Sequence, residues 1–489
     1  MEEKPGTYSF AKRHGVLVGD YQHHHVNIIH RPDYAVEALL ELRRYIGLPL
    51  VLEEVSEERF TILLTKHYET KVAAALQVAE DIEEDLDLQE LMEDLPNPSD
   101  LLESENDAPV IRLINALLRE AIKQTASDIH FEPFEKTLVI RLRVNGVLRN
   151  VLEVPHILSP LIISRIKVMS SLDISEKRLP QDGRITVKIA GRSVDIRVST
   201  IPVSHGERVV LRLLDKKSIH LSLTELGVDE SLLKIISRMI AKPHGIILVT
   251  GPTGSGKTTS LYAMLTELNV PGRNIMTVED PIEYDLKGIG QIQVNTKVDM
   301  TFAKSLRAIL RQDPNVIMVG EIRDLETAMI AVQASLTGHL VFSTLHTNSA
   351  IGTITRLRDM GVESFLLASS LVGIIAQRLV RVLCQHCKEG YQPTSKEVDM
   401  LGIAPGAQIT IYRPHGCDYC NQTGYTHRMG IFEIIEINEK LRALIHSQAN
   451  DAEIKDYLKS TFKNIWQHSC EQVILGNTSL EEILRIASE

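Results

Sequence analysis

The segment Ile246-Ile-Leu-Val-Thr250-Gly-Pro-Thr-Gly-Ser-Gly-Lys-Thr258 constrains this chain more than any other part of it. A short β-rich run leads straight into a glycine-rich octapeptide, and Thr259 to Leu268 then reads as a helix. A strand before and a helix after are the two context requirements of a P-loop. Gly251, Gly254 and Gly256 let backbone N–H groups approach phosphate oxygens, with Pro252, Thr253 and Ser255 completing the loop. The helix start adds partial positive charge. In such a loop Lys257 bridges the β- and γ-phosphates and the Thr258 hydroxyl ligates Mg²⁺. A chance match in a glycine-rich loop is the bland alternative, and both flanking elements argue against it.

Further strands end in polar groups. Val316 to Gly320 is a continuous apolar run, as expected of a buried central strand in a parallel sheet. It delivers Glu321 to the carboxyl end of the sheet, where open α/β folds bind ligands. This is the Walker B position, with Glu where Asp is commoner, and a carboxylate there can hold Mg²⁺ through a water. The run Ile275 to Val278 ends in Glu279-Asp280-Pro281-Ile282-Glu283, one of whose carboxylates can polarise an attacking water. Leu340 to Thr344 is bracketed by His339 and His346. Strand-end histidines satisfied by backbone are the ordinary reading, but the convergence of strand ends on one P-loop favours a functional one.

Cys384-Gln-His-Cys387 and Cys417-Asp-Tyr-Cys420 are two CxxC pairs with 29 residues between them. Two intervening residues let a turn aim both thiolates at one tetrahedral ion, so four sulfurs make a closed site for structural Zn²⁺. The long intervening loop is tolerable because closure entropy grows slowly with length. Redox dithiols or disulfides are the competing reading. The N-terminus shows no basic segment followed by an apolar one, so no secretory signal is visible and a reducing, cytoplasmic location is expected. Cys470 reads as a buried small hydrophobe. The uncharged run Ser364 to Ala376 falls short of the ~20 apolar residues of a membrane span, so membrane contact is expected only through a partner.

At 489 residues the chain predicts roughly three to four domains. Residues 1–79 read as a small α/β domain, with a helix over Tyr34 to Tyr45 and strands at Val51-Leu52 and Phe60 to Leu64. His23, His24 and His25 read as a solvated loop, with metal binding as the alternative. Residues 80–107 hold thirteen carboxylates and no Lys or Arg, the pattern of an acidic linker, with a recognition tail as the alternative. Residues 108–220 read as a second α/β domain, with Asn145-Gly146 marking a hairpin. In 221–383 strands alternate with helices, implying a mostly parallel sheet. Residues 384–420 are the cysteine module and 421–489 read as helical. A net charge of -11 without a basic, aromatic stripe argues against nucleic acid as the ligand.

Gly251–Thr258, Thr277-Val-Glu-Asp-Pro-Ile-Glu283, the run ending Gly320-Glu-Ile-Arg-Asp324 and the segment Gly338–His346 together resemble the secretion ATPases, the motors of type II secretion, type IV pili and type IV secretion. Upstream, Ser127-Asp-Ile-His130, Arg178–Arg184, Val194–Pro202 and His205–Arg212 are similar to the family's second N-terminal domain. The resemblance implies a RecA-like P-loop core, a PAS-like α/β domain before it and assembly into a homo-oligomer, a hexameric ring. It implies that Arg197 and Arg212 reach the phosphates, that Glu279 activates water and Glu321 acts on the metal side, or the reverse, and that MgATP is the substrate. The two arginines read from strand periodicity alone are solvent-facing alternates.

The four-cysteine module resembles type II secretion and pilus-extension motors, which carry it, rather than retraction motors. The short N-terminal domain and the Arg178–Arg212 segment look most like the type II secretion ATPases. That resemblance implies pseudopilus assembly and protein export across the outer membrane, with residues 1–79 docking on an inner-membrane component like protein L. A pilus-extension ATPase is the alternative. A nucleic-acid-threading ring and a non-hydrolysing nucleotide-gated scaffold are readings from other classes. The acidic charge counts against the first, and intact Lys257, Thr258 and Glu321 against the second.

Overall fold

Four consecutive apolar residues at 246–249 serve two cores. Ile246 and Leu248 belong to one hydrophobic cluster, Ile247 and Val249 to another. A strand whose alternate side chains enter different cores lies in the middle of a three-layer α/β unit, helices covering both faces. In the computed structural model of the chain this is strand β10, Gly245–Thr250, buried along its whole length. The structure describes residues 8–21, 25–57, 59–60, 63, 108–189, 192–214, 222–404, 407–459 and 462–488. The acidic segment 80–107, and His23 and His24, lie outside them. The chain divides into two compact units, Met1–Lys216 and Lys217–Glu489.

The second unit is organised by one seven-stranded sheet. Around β10 stand β11 (Ile275–Glu279), β12 (Gly290–Gln293), β13 (Val316–Val319), β14 (Leu340–Leu345), β15 (Leu371–Leu383) and β18 (Tyr425–Glu436). Their order is β12-β11-β13-β14-β10-β15-β18. All pairs are parallel except β15 with β18. Two short strands of the cysteine module, β16 (Glu389–Tyr391) and β17 (Ile411–Arg413), pair separately. The carboxyl ends of β10, β11, β13 and β14 therefore open on one edge, the geometry that makes a ligand crevice. The strand β18 interrupts the stretch 421–489 that reads as helical. Its second half, Gly430–Ile435, is buried without a break, so neither the alternation of a surface strand nor a helical period marks it. Its Glu433 accepts from the Ala350 N–H at 2.8 Å and the Ile465 N–H at 3.3 Å, joining two helix starts to the sheet edge. Burial pushes the Glu433 carboxyl up.

The first unit holds two sheets. Three strands, β1 (Val16–Tyr21), β2 (Val26–His30) and β3 (Leu50–Glu54), form the smaller, with the helix Val36–Ile46 beside them. Where Phe60 to Leu64 reads as a strand, the described residues are helical: Phe60 and Leu63, three apart, join the same cluster as Ala11 and Leu17. The larger sheet is antiparallel. Its strands are β4 (Asp128–Pro133), β5 (Thr137–Val144), β6 (Val147–Pro155), β7 (Gln181–Ile189), β8 (Arg192–Val203) and β9 (Gly206–Leu214). They are ordered β6-β5-β4-β9-β8-β7. Helices Ala108–Lys123 and Ser159–Met169 supply Leu113, Leu117, Ile162 and Ile166 to a core with Ile129, Phe131, Ile140, Ile196 and Leu211. Among the described residues no helix is long and apolar enough to cross a membrane.

Candidate functional site

The loop after β10 takes its shape from three glycines at positive φ: Gly251 at 148°, Gly254 at 79° and Gly256 at 84°. At Gly251 a Cβ would sit 2.4 Å from the Gln377 carbonyl oxygen, and at Gly256 2.9 Å from the Gln377 side-chain nitrogen. Glycine is required there by conformation and by the close approach of β15. Gly256 is the N-cap of the helix Lys257–Leu268, so the loop ends on exposed helical N–H groups aimed at its own concavity. Among the described residues the buried Ser255 hydroxyl has no hydrogen-bond partner, an orphan that a phosphate oxygen would satisfy.

Lys257 bends back on this loop. Its Nζ donates to the carbonyls of Gly251, at 2.8 Å, and Pro252, at 3.0 Å. Burial brings its pKa down to about 8, the Glu321 carboxylate opposing and the Arg378 guanidinium adding to the fall. A phosphate displacing two neutral carbonyls would supply the counter-charge that this ammonium lacks.

Glu321, just past β13, meets the Arg323 guanidinium with one oxygen, and its other oxygen is 3.6 Å from His346 Nε2. Burial, then Lys257, lowers the His346 pKa, so the ring is neutral near pH 7. Glu279 closes β11 but is held differently. It is buried, accepts from the Tyr262 and Thr277 hydroxyls, and takes the Gln291 side-chain amide at 3.1 Å. None of these partners belongs to the loop 251–258. His339 is not brought to the site. Parallel pairing of Gly245 with Leu340 puts it before the first residue of β14, at the opposite end of the sheet, roughly 16 Å of strand away. There its Nδ1 lies 2.9 Å from the Ala334 carbonyl.

Two residues of β15 join the site without any motif to announce them. The Gln377 side chain accepts from the Ser260 hydroxyl at 2.8 Å, tying β15 to the loop's helix. Arg378 is buried, with Nη2 3.2 Å from the Asn348 carbonyl, and lies close enough to Lys257 to depress its pKa. The available signal is a Gln-Arg pair interrupting a mostly apolar strand.

In the first unit Arg197 and Arg212 are direct cross-strand partners on β8 and β9. Arg212 Nε donates to Asp128 Oδ1 at 2.9 Å.

The four predicted cysteines converge. Cys384 lies 3.9 Å from Cys417, Cys387 3.8 Å from Cys420, and Cys417 3.7 Å from Cys420, sulfur to sulfur. A tetrahedral Zn²⁺ with bonds of about 2.3 Å separates its sulfurs by about 3.8 Å. The donor set fits that ion. Burial would raise the Cys420 thiol, but N–H bonds from Cys417 and Gly424 hold it below the ordinary thiol range, while burial pushes its partner Cys387 up. Cys470 is buried and apart from them.

Comparison with known proteins gives two family matches along the chain. A family profile described as Type II/IV secretion system protein matches residues 103–485, and one describing an N-terminal domain of GSPII protein E matches residues 7–68. The Type II secretion system protein E of Aeromonas hydrophila is 55% identical over 482 residues, 99% of this chain and 96% of that protein. The protein of the same name from Pseudomonas aeruginosa is 55% identical over the same 482 residues, with the same shares. Among solved structures, the pilus retraction motor PilT with bound ADP is 27% identical, with TM-score 0.51, covering 77% of this chain and 97% of that one.

Proposed function

The chain belongs to the type II/IV secretion system protein family and is an ATPase of type II secretion, and from that premise we propose how its residues do the work. The carrying observation is the loop 251–258. It combines helix-start N–H groups, an unpartnered buried Ser255 hydroxyl and a Lys257 short of counter-charge, and Glu321 is close enough to act on that lysine. The loop cradles the triphosphate, Lys257 swings from Gly251 and Pro252 to the β–γ bridge, and Thr258 offers its hydroxyl to Mg²⁺. Held there, Mg²⁺ would supply positive charge to the phosphoryl oxygens. Glu321 orients and deprotonates the attacking water or holds the metal's water. Glu279, with its acceptors engaged by Tyr262, Thr277 and Gln291, keeps the other carboxylate role at one remove. Neutral His346 positions Glu321.

Arg197 and Arg212 complete the site from a neighbouring copy, since a guanidinium that stabilises the transferred phosphoryl belongs opposite the loop. The working state is then a homo-oligomer, a hexameric ring on the cytoplasmic side. Residues 1–79 dock on an inner-membrane component like protein L, a reading supported by the exposed Val36, Leu40 and Tyr45 on one helix. The domain roles are partner docking (1–79), linker (80–107), arginine supply (108–220), hydrolysis (221–383), a zinc-held module (384–420) and a C-terminal region that includes β18 (421–489). Cys384, Cys387, Cys417 and Cys420 hold structural Zn²⁺. Hydrolysis drives pseudopilus growth.

The test compares Glu321→Gln with Glu279→Gln in the full chain. Glu321→Gln should lose about 10²-fold or more in kcat with ATP binding retained. Glu279→Gln should act first on Tm, since it breaks a buried acceptor set. A Glu321→Gln variant hydrolysing ATP at the parental rate overturns the assignment.

A further inference from the structure

One face of the larger sheet in the first unit is apolar and covered by helices; the other carries a line of charge. Cross-strand pairing sets Arg184 opposite Arg197, Arg197 opposite Arg212, Arg212 opposite Asp128 and Asp128 opposite Arg143. Directly opposed residues on adjacent strands share a face, so these five side chains form one row across five strands. Like charges so placed repel. Three ion pairs to two carboxylates soften the row. Arg184 reaches Asp195 at 3.3 Å, and Asp128 lies between Arg212 and Arg143.

Asp128 is the fixed point of that row. Its side chain is buried, while the Arg212 side chain is 58% exposed. Asp128 Oδ1 takes Arg212 Nε at 2.9 Å; Oδ2 takes the Ser127 hydroxyl at 2.8 Å and lies 3.6 Å from Arg143 Nε. A carboxylate engaged at both oxygens cannot swivel. The arginine it grips spends one of its five N–H donors on that bond. Further along the same strand, Glu132 is gripped between Arg141 at 2.7 Å and Arg208 at 2.6 Å, so the strand carries two such clamps.

Resting on the reading of Arg212 given above, we propose that Asp128 is a positioning residue for ATP hydrolysis. Through Nε it fixes the Arg212 guanidinium in the orientation from which the other N–H groups meet the phosphate of a neighbouring copy. An arginine on a flexible side chain would otherwise lose conformational entropy on reaching its target, and holding it in place removes that cost from the transition state.

The experiment is a double-mutant cycle on the full-length assembled protein: Asp128→Asn, Arg212→Ala and the double variant, with kcat, KM for ATP and Tm measured for each. Arg212→Ala should lower kcat strongly. Asp128→Asn should lower kcat about tenfold with KM changed less than about threefold, and should have no further effect on kcat in the Arg212→Ala background. Equal losses from Asp128→Asn in both backgrounds mean a merely structural carboxylate and overturn the inference. Parental kcat in Asp128→Asn, with Arg212→Ala impaired, overturns the inference alone. Parental kcat in Arg212→Ala overturns the reading it rests on. Should Asp128→Asn not assemble, Asp128→Glu, which keeps the charge but displaces the guanidinium, goes through the same cycle. A kcat loss confined to the background with Arg212 intact supports positioning, and an equal loss in both contradicts it.

Discussion

The cysteine cluster and the phosphate loop sit on the same strand system and are built on opposite plans. Four sulfurs at tetrahedral spacing use every ligand position, and their backbone N–H partners come from the same short segment. The phosphate loop is open, with a hydroxyl lacking a partner and a lysine borrowing its own loop's carbonyls. A closed donor set holds structure, and an open one awaits a ligand. The strand β15 runs between the two, Gln377 against the loop and Leu383 leading into Cys384.

The contrast predicts different losses on the two sides. Lys257→Ala should cut kcat by about 10²–10³-fold, the size of one lost electrostatic stabiliser, with Tm nearly unchanged. A Tm fall as large as that of a cysteine variant would erase the distinction. Cys420→Ser or strong chelation should lower the Tm of the second unit by about 10 °C and release one zinc per chain, measured by calorimetry and metal analysis. Protein purified without bound metal and with unchanged Tm would contradict the closed-site account.

A third effect separates the two sites by pH. Burial lowers Lys257 to about 8 in the free loop, and a bound triphosphate raises it. A group whose pKa rises on binding contributes fully below its free value. ATP affinity should therefore be flat up to about pH 8 and fall by up to about tenfold per unit above it, with proton uptake on binding. Calorimetry in buffers of different ionisation enthalpy reads that uptake, and proton release would reverse the assignment. The smallest effect belongs to the link between the sites. Gln377→Ala should cost about 1 kcal/mol and raise the ATP KM a few-fold, leaving zinc content intact.

Much of this is legible in the sequence because spacing carries it. The P-loop residues, the apolar run before Glu321 and the CxxC pairs are local patterns, and the structure brings each set together. His339 and His346 are the instructive pair. They flank the same strand and look alike in sequence, but a parallel strand has two ends and only one is a ligand edge. Gln377 and Arg378 escape sequence reading because their place depends on β15 crossing beside β10, a long-range pairing with no local signature. The strand β18 escapes it too, since a buried edge partner shows no alternation. Asp128 lies in view within Ser127-Asp-Ile-His130, but its grip on Arg212 spans 84 residues and exists only in the pairing of β4 with β9.

The central claim is that hydrolysis needs Lys257 from one copy and Arg212 from another. Mixing Lys257→Ala protein with Arg212→Ala protein, then measuring ATPase activity after assembly, tests it most directly. In a closed ring of such head-to-tail sites, an equal mixture should recover about a quarter of parental activity from two nearly inactive parents. A mixture that stays at the sum of its parts would contradict it.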